Sequence, residues 1–149
     1  MTDTLTKAER SRRMSLVRGK DTRPEIQVRG ALHRLGYRYR LHVRSLPGTP
    51  DVVFASRKNV IFVHGCFWHR HSRCKLARLP KSRLAFWKCK LEGNRLRDER
   101  NQRRLNRLGW RYLVVWECQL SNSQRVVDRI TRFLKDANRR KRAKINERH

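Results

Sequence analysis

PGTPDVVFASRKNVIFVH, residues 47–64, is the stretch of the sequence that decides the fold. The Pro and Gly residues at 47–50 indicate a turn. Two apolar runs follow it, Asp51–Ala55 and Val60–Val63, and a polar turn separates them. Runs that are apolar on both faces are typical of strands covered on both sides. The stretch therefore predicts a tight hairpin at the centre of a sheet.

The segments on either side of this hairpin predict helices and two further strands. Before it, a Thr followed three residues later by a Glu marks two helix starts, at Thr6–Glu9 and at Thr22–Glu25. Alternating apolar and polar residues then predict a strand at Tyr37–Leu41. After the hairpin, a helical pattern covers Lys81–Leu108, with a break predicted at Gly93. A strand at Tyr112–Trp116 follows, and Ser121–Ser123 then caps a last helix. The order α-α-β-β-β-α-α-β-α predicts an α/β protein with a central mixed sheet flanked by helices.

The charge of the chain indicates a polyanionic partner. Lys and Arg number 39 among 149 residues, against 12 Asp and Glu, and the net charge is +27. This balance excludes an acidic ligand sensor. Apolar runs are far shorter than the roughly 20 residues of a membrane span, and the first residues show no apolar signal core, so we expect a cytoplasmic protein without membrane contact. Residues 1–138 are predicted to form one domain, and residues 139–149 a basic, disordered tail.

Asp51 is the single carboxylate between Ile26 and Leu91, in a segment rich in Arg and Lys. An Asp after a proline turn is ordinarily a turn residue that caps its own backbone. The alternative is a rigid metal ligand beside a phosphate track, because Mg²⁺ needs only one or two protein carboxylates when phosphate oxygens and water complete its shell. Both interpretations stay open on this residue alone.

Cysteine and histidine are concentrated just after the hairpin. Cys66, His71 and Cys74 are close enough in sequence to surround one ion, and Cys118 follows the fourth strand. Three Cys and one His form an accepted structural zinc set, whereas the simpler interpretation is a group of buried thiols. Because a cytosolic protein keeps its thiols reduced, disulfides are not expected. Cys89 lies in a helical run and is interpreted as a bystander.

Aromatic residues accompany the cations in the same region. Phe67 and Trp68 follow Gly65, and Trp87 lies in a basic stretch. Exposed aromatic rings among cations are suited to stacking on bases or to wedging between them. Each ring taken singly could equally cover a small core, but three such rings favour contact with nucleic acid.

These motifs together resemble the very-short-patch-repair (Vsr) mismatch endonucleases. The resemblance is carried by LPGTPD at 46–51, VHGCFWH at 63–69, WR at 110–111 and VVWEC at 114–118, and it extends from about Lys7 through the last helix. It implies a variant of the restriction-endonuclease fold. It also implies an enzyme that nicks double-stranded DNA on the 5′ side of the thymine in a T·G mismatch, the lesion left when 5-methylcytosine deaminates.

The resemblance assigns the catalytic roles. Asp51 and the backbone carbonyl of Val63 are the implied Mg²⁺ ligands, and His69 is the implied base that activates the attacking water. The implied residues that orient His69 and the metal-bound waters are Glu25, His64 and Asp98.

The resemblance also assigns the DNA-intercalating and zinc-binding residues. Phe67, Trp68 and Trp87 resemble a wedge that enters from the major groove, and Met14 lies where the family reaches in from the minor groove. The implied ligands of a structural Zn²⁺ are Cys66, His71, Cys74 and Cys118. The His71-to-Cys74 interval is one residue longer than in the best-known family pattern.

Two alternatives remain beside this interpretation. A non-catalytic, basic, zinc-containing nucleic-acid-binding protein would have the same charge and the same Cys and His residues, and a nuclease of this fold could act on other damaged DNA. The family interpretation further implies a monomer associated with the bacterial nucleoid. The sequence leaves open the bases read around the mismatch and the use of mismatch-repair proteins or of a cytosine methyltransferase.

Overall fold

The computed structural model describes residues 6–9 and 21–146, with residues 137–146 described by their backbone course alone. Within these ranges the main helices are α1 (Arg23–Arg34), α2 (Leu84–Arg107) and α3 (Ser123–Asn146). The strands are β1 (Arg40–Leu41), β2 (Val52–Phe54), β3 (Asn59–His64) and β4 (Arg111–Trp116). Short 3-10 turns follow β2 and β4, and another precedes α2.

The four strands form one mixed sheet in the order β1-β2-β3-β4. β2 and β3 are antiparallel, with Val53 opposite Val60, which confirms the predicted central hairpin. β4 runs parallel to β3, and His64 lies opposite Trp116 at the carboxyl end of both strands. The residues that follow β3 and β4 therefore leave the sheet at the same edge.

Helices cover both faces of the sheet, as the apolar strands require. On one face, the side chains of α1 and α3 pack on β2, β3 and β4 through residues such as Leu32, Ile61 and Ile130. On the other face, Leu105 of α2 packs on Val60 and Phe62. Because both faces are buried, all six residues of β3 are buried, and this strand positions whatever follows His64 with little freedom.

The predicted helix starts are confirmed where the structure describes them. The Thr22 hydroxyl accepts the N–H of Glu25 at 3.5 Å. Thr6 and Glu9 make the reciprocal contacts of a capping box, at 2.8 and 3.2 Å. The part of that first helix predicted beyond Glu9, toward Val17, lies outside the described residues.

Two predictions about regular structure were wrong. α2 is continuous through Gly93, because one glycine costs a helix only about 1 kcal/mol and the buried Leu91 and Leu105 anchor the helix on both sides of it. The strand predicted at Tyr37–Leu41 is limited to Arg40–Leu41. Leu41 is exposed, so the alternation did not mark a long half-buried strand.

The last helix reaches farther than the predicted domain boundary. Its backbone remains helical through Asn146, past residue 138. The segment contains Arg, Lys and Ala, which all favour helix, and it lacks Gly and Pro. Among the described residues, no helix combines the length and the apolar character that a membrane crossing demands.

Candidate active site and metal centre

A cavity of about 990 Å³ opens at the sheet edge where β2 begins and β3 ends. It brings together all five residues for which the sequence predicted a catalytic role, together with Val63. Its lining includes Glu25, Asp51, Val63, His64, Trp68, His69 and Asp98. The pairing of β2 with β3 explains this convergence, because Asp51 immediately precedes β2 and lies beside the point where β3 leaves the sheet.

Asp51 is held by the backbone of the neighbouring strand. Its Oδ2 accepts the N–H of Val63 at 2.7 Å. Burial raises the pKa of the Asp51 carboxyl to about 7, against the opposing effect of this N–H, and the nearby Glu25 carboxyl adds to the rise. Two adjacent carboxyl groups in a half-buried cavity are a favourable environment for a cation, because a cation offsets both desolvation and mutual repulsion.

Glu25 lies in the first turn of α1 and is buried. Its Oε2 accepts the backbone N–H of Asp21 at 3.0 Å and lies 3.0 Å from Nε2 of His42. Because a carboxylate only accepts hydrogen bonds, the His42 Nε2–H is the donor. His42 is a cavity residue that sequence reasoning missed, and no spacing rule pointed to it.

His69 and Asp98 form a close pair between the loop after β3 and helix α2. Nδ1 of His69 lies 2.6 Å from Oδ2 of Asp98. Since the carboxylate can only accept, Nδ1 carries the proton, and Nε2 of a neutral His69 is left able to accept one. The pair therefore has the chemistry of an oriented general base.

His64 lies against His69, with parallel rings whose centroids are 3.8 Å apart. Burial lowers the pKa of His64 to about 3, and the charge that the adjacent His69 can carry acts in the same direction. His64 is therefore neutral at physiological pH. It supports the His69 ring without competing with it for a proton.

The three cysteines and one histidine predicted as a metal site come together beyond the carboxyl ends of β3 and β4. The potential ligand atoms of Cys66, His71, Cys74 and Cys118 all lie within 4.8 Å of one another. Sγ of Cys118 is 3.4 Å from Nδ1 of His71. The parallel pairing of β3 with β4 produces this meeting, because Cys66 and Cys118 each follow the end of one of these strands.

The donor set fits a structural zinc ion. Burial raises the pKa of the Cys66 thiol to about 12, so the protein alone does not favour a thiolate there, whereas Zn²⁺ binds thiolates and displaces their protons. Four protein donors fill a tetrahedral shell and leave no position for substrate. Cys89 is exposed on α2 and lies outside this cluster.

The aromatic residues that the sequence singled out form one cluster beside the cavity. Phe67, Trp68 and Trp87 are half-buried, and the three pairs of ring centroids are 5.1 to 6.0 Å apart. Phe86, which sequence reasoning missed, extends the cluster to an exposed edge, 5.3 Å from Trp87. Arg83 covers the outer face of Phe86 at 4.5 Å. Met14 lies outside the described residues.

A groove of about 880 Å³ adjoins the cysteine cluster and is rich in cations. Its basic side chains are Arg70, Arg73, Lys75, Arg78 and Arg95. Arg95 is paired with Glu92 and Glu99, which leaves the other four as the candidates for contact with a polyanion.

The fold has a clear structural relative. The catalytic domain of the homing endonuclease I-Bth0305I matches with a TM-score of 0.57 and 21% identity, over 78% of this chain and 98% of that domain. The likeness shows the fold class, a homing-endonuclease-like mixed sheet flanked by helices, and in this chain one end of that sheet carries a carboxylate, a histidine and a Cys/His cluster.

Sequence comparison identifies the family. The family profile described as DNA mismatch endonuclease Vsr matches residues 2–75. The type II nicking enzyme V.XorIIP of Xanthomonas oryzae pv. oryzae is 56% identical over 122 residues, which are 82% of this chain and 89% of that protein. DNA mismatch endonuclease Vsr of Escherichia coli is 42% identical over 128 residues, with coverages of 86% and 81%. The chain belongs to the Vsr family of DNA mismatch endonucleases.

Proposed function

We propose that this protein nicks double-stranded DNA on the 5′ side of the thymine in a T·G mismatch, by Mg²⁺-dependent phosphodiester hydrolysis. The relatives named for mismatch endonuclease and nicking activity support DNA as the substrate. The observation that carries the proposal is that one cavity holds both the half-buried Asp51 carboxyl and the His69–Asp98 pair. A non-catalytic zinc protein would have no need for this combination.

Asp51 and the backbone carbonyl of Val63 would hold the magnesium ion. Oxygen donors are those that Mg²⁺ prefers, and the Asp51 carboxyl, adjacent to Glu25 and largely desolvated, fits a hard cation. Magnesium bound there would offset the charge of the scissile phosphate and polarise a water molecule. Glu25 would accept hydrogen bonds from metal-bound water.

His69 would receive the proton of the attacking water at Nε2. Asp98 holds the opposite ring nitrogen and stabilises the positive charge that develops as the proton arrives. His64 limits the tilt of the His69 ring by stacking on it. Because burial keeps His64 neutral, His69 would be the imidazole of the pair that takes up the proton of water.

The aromatic cluster would discriminate the mismatch. Inserting rings between base pairs costs a few kcal/mol of stacking, and a mismatched pair already stacks and pairs less well than a matched one. Trp68 lines the catalytic cavity and is also a member of the aromatic cluster. A deformation read by these rings would therefore occur next to the groups that cleave.

The zinc ion would be structural, and the protein would act as a monomer. Cys66, His71, Cys74 and Cys118 connect the two segments that leave the sheet after β3 and β4. Residues 1–138 would form the catalytic domain and residues 139–149 a basic extension. We also propose a cytoplasmic enzyme associated with the bacterial nucleoid.

The test is a nicking assay on a panel of duplexes. Zinc-loaded protein is incubated with T·A, T·G and other mismatched duplexes in several sequence contexts, with and without Mg²⁺. We expect cleavage that requires Mg²⁺ and occurs 5′ of the thymine in T·G duplexes. Equal cleavage of matched and mismatched duplexes would contradict the substrate assignment, and cleavage that persists without Mg²⁺ would contradict the metal assignment.

A further inference from the structure

His42 lies between the two carboxyl groups of the cavity. Its Nε2 is 3.0 Å from Oε2 of Glu25 and 4.0 Å from Oδ1 of Asp51. Its ring is only 20% exposed. One imidazole N–H therefore binds Glu25 directly and faces Asp51 across a short gap.

The backbone at His42 is strained and tied to the same site. Its φ is +47°, in the left-handed region that a non-glycine residue rarely adopts. Its N–H donates to the carbonyl oxygen of Asp51 at 3.3 Å. In this strained conformation, the ring of His42 contacts Glu25 and its backbone N–H contacts Asp51.

Glu25 needs this second donor to hold its position. Its Oε2 is shared by the backbone N–H of Asp21 and the ring N–H of His42. Removing His42 would leave one of these two donors, the backbone N–H of Asp21. The carboxylate could then turn away from Asp51.

We propose that His42 is a positioning residue that fixes Glu25 and Asp51 in the arrangement that binds the catalytic divalent cation. The proposal rests on the magnesium site of the proposed function. His42 does not touch the reacting atoms. It acts by orienting a carboxylate beside the metal ligand, and outer partners of this kind typically change metal affinity 10- to 100-fold.

The left-handed backbone provides a substitution that separates positioning from folding. Glycine adopts a φ of +47° without steric cost, so His42→Gly removes the ring and relieves the backbone at once. We expect its Tm to stay within a few degrees of the wild type. His42→Gln keeps an N–H donor at a similar reach and should restore Glu25.

The experiment measures cation binding directly on the zinc-loaded, full-length protein. Mn²⁺, a hard cation that stands in for Mg²⁺, is titrated and followed by electron paramagnetic resonance, for wild type, His42→Gly, His42→Gln and Asp51→Ala. The matched control is His33→Ala, a histidine exposed on α1. A second readout is the Mg²⁺ concentration that gives half-maximal nicking of T·G duplex.

We expect His42→Gly to raise the Mn²⁺ dissociation constant and the Mg²⁺ half-saturation about tenfold, with the nicking rate at saturating Mg²⁺ within a few fold of the wild type. His42→Gln should lie within about twofold of wild type. If His42→Gly binds Mn²⁺ as tightly as the wild type while Asp51→Ala loses Mn²⁺ binding, the role of His42 is overturned and the magnesium site stands. Wild-type binding in Asp51→Ala would overturn the magnesium site, and with it this proposal.

Discussion

His64 and His69 stack with their ring planes 4° apart and their centroids 3.8 Å apart. One ring is buried and neutral, and the other is paired with Asp98. Two imidazoles at this distance cannot both be protonated without strong repulsion. Burial keeps His64 neutral, and His69 is the ring of the pair that contacts a carboxylate, that of Asp98.

His64 should make the protein less stable in acid. The unfolded chain takes up a proton at His64 near pH 6.5, whereas the native chain, with a pKa near 3, does not. Lowering the pH therefore favours the unfolded state. Between pH 7.5 and 5, His64→Gln should lose about 2 kcal/mol less stability than the wild type. Urea unfolding at several pH values measures this, and parallel pH profiles for the two proteins would contradict it.

Asp51 should show the opposite pH dependence in the absence of magnesium. Its native pKa, raised to about 7, means that the native state holds a proton that the unfolded chain releases near pH 4. Stability is therefore lost as the pH rises toward 7. At pH 8, Asp51→Asn should be more stable than the wild type, on the order of 2 to 4 kcal/mol, and at pH 3.5 the difference should vanish.

Thermal melts of zinc-loaded protein in magnesium-free buffer test this prediction. The same Asp51→Asn protein should bind T·G duplex nearly as well as the wild type and fail to nick it. A stable, folded Asp51→Asn protein with substantial Mg²⁺-dependent cleavage would show that another group holds the metal.

About one zinc ion per chain should be found, and it should contribute to stability. Elemental analysis gives the stoichiometry. Cys66→Ser should lose zinc and melt at a much lower temperature, because structural zinc contributes directly to folding. Cys89→Ser is the matched control and should change neither quantity. Equal melting temperatures for these two variants would contradict a structural ion.

Trp68 should affect discrimination rather than the electrostatic part of binding. Trp68→Ala should reduce the preference for T·G over T·A duplex and leave the dependence of log K on log salt almost unchanged, since unstacking is not a charge effect. Binding titrations at several salt concentrations measure both quantities. An equal loss of affinity for both duplexes would identify Trp68 as a packing residue.

Arg73 should behave in the reverse way. It is exposed in the basic groove, and a contact between an Arg and a phosphate strengthens binding to all sequences alike. Arg73→Ala should weaken binding to both duplexes and flatten the salt dependence by roughly one unit. Arg95→Ala is the control, because Glu92 and Glu99 already neutralise that side chain. A salt dependence identical to the wild type would exclude Arg73 from phosphate contact.

Sequence patterns were sufficient where one interaction dominates. A hairpin that is apolar on both faces belongs at the centre of a sheet, and this placed Asp51 next to Val63 at the end of β3. The spacing of Cys66, His71 and Cys74 likewise indicated one cluster. These features depend on burial and on short chain separations, both of which are visible in sequence.

Other features depend on small competing contributions to stability, or on tertiary contacts, which the sequence pattern does not reveal. The unbroken helix at Gly93 reflects a small propensity cost outweighed by the packing of Leu91 and Leu105. His42 entered the site through a left-handed backbone and a contact with Glu25, a residue 17 positions away in the chain. Tertiary contacts of this kind have no periodic signal.

The continuity of α2 has a mechanical consequence. Trp87 and Asp98 lie on one uninterrupted rod, roughly 16 Å apart along its axis at 1.5 Å per residue. A hinge at Gly93 would let these two side chains move independently, whereas the unbroken helix holds them at a fixed separation. If DNA contacts the ring of Trp87, as the proposed function requires, a displacement of that ring would be transmitted along the helix to Asp98, the partner of His69. The rigidity of the helix would thereby couple the position of the Trp87 ring to the orientation of the His69 imidazole.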